Sequence, residues 1–180
     1  MEKIALTGFT VFGSHDENPT SIMAQKLGKE DWINAKVLPV SFSRAPQEAL
    51  ELEGKCLLMT GLAAGRKEIT LERFAYNEKK ASIPDNDGEK AAGEKLKEGG
   101  EDMLETRVDL DSLLSILREN EIPTSISTDP GRYVCNALYY SALSDNSRPS
   151  LFVHFPSLSD MSLEKEEKAV RLILDYLLST

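Results

Sequence analysis

The chain reads as an α/β protein, a three-layer α/β/α sandwich around a mixed, mostly parallel central sheet. Six runs have strand character: Lys3–Phe9, Ala35–Phe42, Lys55–Thr60, Ile69–Tyr76, Thr124–Thr128 and Leu151–Phe155. Several are almost continuously apolar, as strands covered on both faces are. Segments of helical periodicity alternate with them, the pattern of helices packed on both sides of a sheet. The run at 69–76 follows its predecessor through a Gly-rich link, so part of the sheet is expected to be antiparallel.

The helices carry their own punctuation. The first starts at Asn18-Pro19, with Asn as N-cap and Pro at the first helical position. The second spans Ala45–Glu53. The third, Leu110–Glu119, repeats Leu110, Leu113, Leu114 and Leu117 on one face. The fourth carries Cys135 and runs to about Leu143. The last begins near Leu163, with Ala169, Val170, Ile173, Leu174, Leu177 and Leu178 on one stripe, and Arg171 and Asp175 facing out. No internal repeat is present. Asp87–Glu105 is rich in Gly, Lys and Glu, and reads as a mobile surface loop with a short helical turn at Ala91–Lys97.

A length of 180 residues suits one domain, 1–180, with a proper core. The formal net charge is −9 and no basic cluster occurs, which argues against nucleic acid as a partner. No apolar run is long enough to span a bilayer, and the N-terminus enters a strand-like run without a signal-peptide pattern. The two cysteines differ in context. Cys56 lies in a buried-strand pattern and reads as inert core. A cytoplasmic location with both thiols reduced follows.

Cys135 stands out. The run Thr124–Thr128 ends in Pro130-Gly131, and the helix that follows has Cys135 in its first turn. Unpaired N–H groups and the positive end of the helix dipole favour an anion there, so a lowered thiol pKa is expected. Cys135 is therefore the candidate nucleophile, and it needs a base and a group to orient that base. His15 lies in a polar loop. His154 lies near the C-terminal end of an apolar strand, where open α/β sheets carry their sites. It reads either as that base or as a core histidine satisfied by a carbonyl. Glu72 is either its orienting carboxylate or a surface partner of Arg73. Gly61–Arg66 lacks the spacing of a phosphate cradle, and the His and Cys positions give no metal-ligand spacing. No cofactor is expected.

Several motifs, in order, resemble the pyroglutamyl peptidase I family, also called pyrrolidone-carboxylate peptidases. They are Thr7-Gly8-Phe9-Thr10-Val11-Phe12-Gly13 with Asn18-Pro19-Thr20; Gly61 to Asn77; Ile83-Pro84-Asp85-Asn86; Gly131-Arg132-Tyr133-Val134-Cys135-Asn136; and Phe152-Val153-His154-Phe155-Pro156. The resemblance implies a cysteine exopeptidase, an omega peptidase that removes an N-terminal pyroglutamyl residue from peptides and assembles as a homodimer or homotetramer. It implies Cys135 as nucleophile, His154 as general base and acid, and Glu72 as the residue orienting His154. It further implies that Phe9 and Phe12 sandwich the pyrrolidone ring, with Ile83, Tyr133 and Val134 lining the pocket. The chain departs from the family pattern in places. Leu62 stands where the family has a glutamine, leaving backbone contacts to substrate. Lys80-Ala81-Ser82 stands where the family has Asp-Ala-Arg, and Arg132 beside Cys135 is the candidate to replace the lost positive charge. The chain is also shorter after Pro84 and around Asp145–Pro149. The alternative reading is a divergent relative that binds lactam-capped peptides without catalysis, or a thiol amidase for another small acyl group.

Overall fold

The structure, a computed structural model, describes residues 2–180. The elements in order are β1 (Ile4–Phe9), α1 (Pro19–Leu27), β2 (Ile33–Leu38), α2 (Arg44–Leu50), β3 (Leu57–Leu62), β4 (Ile69–Glu72), β5 (Phe74–Tyr76), β6 (Lys79–Lys80), β7 (Ala92–Glu94), β8 (Met103–Glu105), α3 (Leu110–Glu119), β9 (Thr124–Ser127), α4 (Val134–Asp145), β10 (Ser150–Phe155) and α5 (Leu163–Ser179). Six strands form the central sheet in the order β2-β1-β3-β10-β4-β9. The first four run parallel, β4 is antiparallel to β10, and β9 is parallel to β4. This is the mixed, mostly parallel sheet expected from the alternating pattern.

Strand alternation divides the core in two. Leu6, Leu58, Leu71 and Val153 face α1, α3 and α5, packing with Met23, Leu113, Leu117, Ile173 and Leu174. Ala5, Leu57, Met59 and Phe152 face α2 and α4, packing with Ala45, Ala49, Leu138 and Tyr139. Each fully buried Leu or Phe contributes roughly 1.5–3 kcal/mol. The helices begin where the caps are. Asn18 Oδ1 accepts from the Thr20 N–H at 3.1 Å, Asp109 Oδ1 from Asp111 and Ser112 at 3.1 Å each, and Ser162 Oγ from Lys165 at 3.3 Å.

Three segments differ from the sequence reading. β2 occupies 33–38 rather than 35–42, because Pro39 has no N–H for the ladder; Val40 and Phe42 leave the sheet for the second core. The expected strand 69–76 breaks at Arg73, where β4 stays in the main sheet and β5 pairs antiparallel with β8. Residues 87–105 form no helical turn. They supply β7, paired with β6, and β8, paired with β5. Asn77 pins the stretch between them, donating to the carbonyls of Lys97 (2.8 Å) and Gly100 (3.3 Å) and accepting from the Lys97 N–H (2.8 Å). The segment is a two-stranded flap fastened on the body, not a free loop.

Cys56 is buried, its Sγ 3.3 Å from the Leu177 carbonyl, and burial pushes its thiol up. No helix among the described residues is long and apolar enough to cross a membrane. Glu166, in the first turn of α5, is fully buried and neither carboxylate oxygen has a hydrogen-bond partner. Burial pushes its carboxyl up to about 8. The folded chain therefore holds a proton that the unfolded chain releases near an ordinary glutamate pKa. Its contribution to stability is full at low pH and is lost as pH rises toward 8. Denaturant titrations at about pH 5 and about pH 9 should show wild type losing more stability across that range than Glu166→Gln; equal losses would refute this assignment.

Candidate active site

The site is built at the carboxyl ends of β1, β3 and β10, beside the point where the sheet reverses direction. Gly61 on β3 and His154 on β10 are register neighbours in a parallel pair, so their side-chain directions agree. A Cβ on Gly61 would lie 2.9 Å from Cys135 Sγ and 2.9 Å from the Phe152 ring. Only glycine leaves room for the thiol there, and the same contact sets Cys135 against the face from which His154 projects. The His154 ring packs on Phe152 at 4.8 Å between centroids. Its Nδ1 lies 2.7 Å from Glu72 Oε1. That carboxylate holds the proton on Nδ1 and leaves Nε2 free for the cavity.

Glu72 ends β4, whose Thr70 is the register partner of His154, so Glu72 projects from the same face of the sheet two residues further along. It is fully buried. Arg66, from the β3–β4 link, donates from Nη1 to Glu72 Oε1 at 2.5 Å and to Thr70 Oγ1 at 2.5 Å. Its Nη2 donates to the Asp129 carbonyl at 2.9 Å. Burial alone would raise the Glu72 carboxyl, but the His154 hydrogen bond and charge, joined by Arg66, outweigh it and hold the group below the usual range. The sequence offered Arg73 as the bland partner. Arg73 instead points out to Glu105 and Asp111.

The approach to α4 places Cys135. Tyr133 is the N-cap residue in extended conformation and its side chain makes no cap bond, so the first N–H groups of the helix are not capped by it. Asn136 anchors the same turn: Oδ1 accepts from the Tyr76 N–H at 2.8 Å, and Nδ2 donates to the Tyr76 and Glu78 carbonyls at 2.9 Å each. Cys135 does not have the lowered pKa that its helix position suggests. Burial, reinforced by the Glu72 charge, pushes the thiol up to about 12 against the weaker pull of Arg66 and its own N–H. The surroundings of Cys135 favour the thiol over the thiolate.

A cavity of about 340 Å³ opens over these groups, lined by Phe12, Leu62, Ile83, Tyr133, Cys135 and His154, with Lys80 through Ser82, Pro130 and Arg132 at its rim. Tyr133 stacks with Phe12 at 6.2 Å, meets the edge of Phe42 at 5.4 Å, and donates from its hydroxyl to the Pro84 carbonyl at 3.2 Å. Phe9 and Val134 do not line the cavity. Both are buried in the second core, Phe9 because β1 is still inside the sheet at that point. The motif around Asn18 shapes the loop that carries Phe12. Thr20 Oγ1 accepts from the Phe9 N–H at 3.1 Å and donates to Asn18 Oδ1 at 2.7 Å, while Asn18 Nδ2 donates to the Thr10 carbonyl at 3.3 Å. The 83–86 segment is held by Asp85, which accepts from the N–H groups of Phe42, Asp87 and Glu89 at 2.8–3.0 Å. Arg132 is not a free cation. It bonds Glu78 at 3.2 Å and Asp129 at 2.7 Å and lies 3.9 Å over the Tyr76 ring. Sequence reasoning missed Arg66, Asn136 and Gly61 as parts of the site. All three lie inside motifs that carried the family resemblance, Gly61 and Arg66 in the Gly61–Asn77 stretch and Asn136 directly after the cysteine, but none was given a role.

A buried carboxylate behind a histidine, set against a cysteine in the first turn of a helix on an α/β/α frame, defines a thiol hydrolase. The family model for pyroglutamyl peptidase matches residues 2–178, and the chain belongs to that family. Among its relatives, the pyrrolidone-carboxylate peptidase of Thermococcus litoralis is 33% identical over 209 residues, covering 98% of this chain and 95% of that one. That of Oceanobacillus iheyensis is 35% identical over 176 residues, covering 91% and 88%. The solved structure of pyrrolidone carboxyl peptidase from Thermococcus litoralis superposes with a TM-score of 0.94 at 30% identity, covering 99% of this chain and 94% of that one.

Gly61→Ala tests the packing argument. The added methyl must displace the thiol or the Phe152 ring. A cost of roughly 1–3 kcal/mol in stability is expected from overpacking, with a fall in kcat on the order of a hundredfold from a misplaced nucleophile. Near-normal turnover in the purified variant would show that Cys135 does not need this approach.

Proposed function

We propose that the chain is a cysteine peptidase that hydrolyses the bond after an N-terminal pyroglutamyl residue of peptides. The observation that carries this reading is that Cys135 and His154 line one largely apolar cavity while buried Glu72 holds His154 from behind. A pyrrolidone ring is neutral, with one N–H and one C=O. Phe12, Tyr133, Ile83 and Leu62 offer it aromatic and aliphatic walls, and Leu62 contributes only apolar surface and backbone.

The chemistry follows from the resting state. Because the thiol is held neutral, attack and deprotonation go together: Cys135 Sγ bonds to the pyroglutamyl acyl carbon as its proton passes to His154 Nε2. Glu72 stabilises the imidazolium that forms through the bond to Nδ1. The oxygen that gains negative charge lies near the start of α4, whose first N–H groups, that of Cys135 among them, stabilise it. The C–N bond then breaks as His154 returns the proton to the leaving amine. A water, deprotonated by His154, hydrolyses the thioester, releasing pyroglutamate and restoring the thiol. The need for a free thiol fits a reducing compartment, and the cytoplasm is the location this reading carries.

Release of a fluorophore from a pyroglutamyl amide is the test. Cys135→Ala should abolish it. Glu72→Gln should lower kcat by at least ~100-fold, because the carboxylate that stabilises the imidazolium is gone. Alkylation of Cys135 by iodoacetamide should slow in His154→Ala, since His154 is the proton acceptor. A folded wild type that releases nothing would overturn the reading.

A further inference from the structure

The cavity has one charged side chain that its own protein leaves unmatched. Lys80 lines the rim, is exposed, and among the described residues makes no ion pair or side-chain hydrogen bond. Its position is well fixed even so. The Lys80 N–H donates to the Arg132 carbonyl at 2.8 Å, and the Ala81 N–H to the Ala91 carbonyl at 2.9 Å, so β6 is fastened on both sides. The β6–β7 ladder is irregular between the two neighbouring lysines, and their side chains have different surroundings. Lys79 pairs with Glu89 and lies over the Phe42 ring; Lys80 lines the cavity.

The carboxylates around the site are committed elsewhere. Glu78 and Asp129 hold Arg132. Asp85 accepts three backbone N–H groups. Glu72 is shared by His154 and Arg66. In a chain of net charge −9, the rim beside the nucleophile therefore presents a free cation and no free anion. A neutral lactam ring has no use for an ammonium group. The part of a substrate that does is the peptide beyond the scissile bond.

We propose that Lys80 forms the leaving-group subsite and selects substrates with a carboxylate on the residue that follows the pyroglutamyl group. The carboxylate is either the terminal α-carboxylate of a pyroglutamyl dipeptide or an acidic side chain at that residue. The inference rests on the peptidase reading above for its substrate frame. An exposed ion pair supports a preference of roughly fivefold, and the preference must weaken as salt is raised.

The experiment compares kcat/KM within matched pairs: pyroglutamyl-alanine against its C-terminal amide, and pyroglutamyl-glutamate amide against pyroglutamyl-glutamine amide. The first pair reads the α-carboxylate and the second the side chain. Wild type should favour the charged member of at least one pair by roughly fivefold at low ionic strength. The ratio should fall toward one in Lys80→Gln and invert in Lys80→Glu. Using ratios within each variant removes any general effect on folding or turnover. The same pairs are titrated calorimetrically into Cys135→Ala and Cys135→Ala/Lys80→Gln, which reads binding without catalysis. A carboxylate preference there, together with a wild type that cleaves none of the four substrates, would uphold the subsite and remove the peptidase reading. Ratios near one in wild type, or ratios that Lys80→Gln leaves unchanged, would overturn the proposal.

Discussion

The charge on Glu72 is the constraint around which the site is arranged. A carboxylate with no exposure to water is tenable only with close, well-directed donors. Here both converge on one oxygen, His154 Nδ1 at 2.7 Å and Arg66 Nη1 at 2.5 Å. Arg66 also reaches Thr70 on the same strand and the Asp129 carbonyl in the loop that leads into α4. The group that orients the imidazole is therefore tied to the loop that delivers the thiol. Removing one partner of such a buried pair typically costs about 3–5 kcal/mol, because the remaining charge is left uncompensated. Tyr139 adds a further tie, its hydroxyl donating to the Glu72 carbonyl at 2.8 Å from the middle of α4.

That arrangement also explains the neutral thiol. A carboxylate close enough to stabilise an imidazolium is close enough to disfavour a thiolate, and Cys135 feels it. Burial acts in the same direction. The helix N-terminus and Arg66 oppose both and lose. Loss of the Cys135 proton is thus disfavoured unless a neighbouring group accepts it.

Much of this was legible in the chain. Asn18-Pro19 marked the start of α1 because cap and proline have local geometry, and the leucine spacing of 110–119 marked α3 to the residue. Cys135 was singled out by residue type and placement, whereas His154 and Glu72 stayed open between core or surface and site until the family motifs assigned them. What was not legible depended on partners far away in sequence. The 87–105 segment is polar and Gly-rich, like a loop, and becomes strand only because β5 and β6 offer free edges and Asn77 holds its backbone. Helix position alone argues for an acidic thiol, and only the fold brings the charge of Glu72 to bear on it. Arg132 looked like the free cation because it neighbours the cysteine, yet Glu78, fifty-four positions away, claims it. Phe9 and Phe12 are three residues apart in one motif, but the sheet ends between them, so one is core and the other is wall.

The opposed directions of α4 and β10 have an effect on how the chain can vary in length. Because α4 runs away from Cys135 and β10 runs toward His154, the turn at residues 146–149 lies at the end of the sheet opposite the cavity. It begins at Asn146, in the left-handed conformation with φ of 53°, and closes in a few residues. Trimming or extending that turn moves neither Cys135 nor His154, since each is set by the far end of its own element. The placement of Cys135 against His154 is in this sense independent of the number of residues that separate them, and a compact chain can keep the geometry of a longer one.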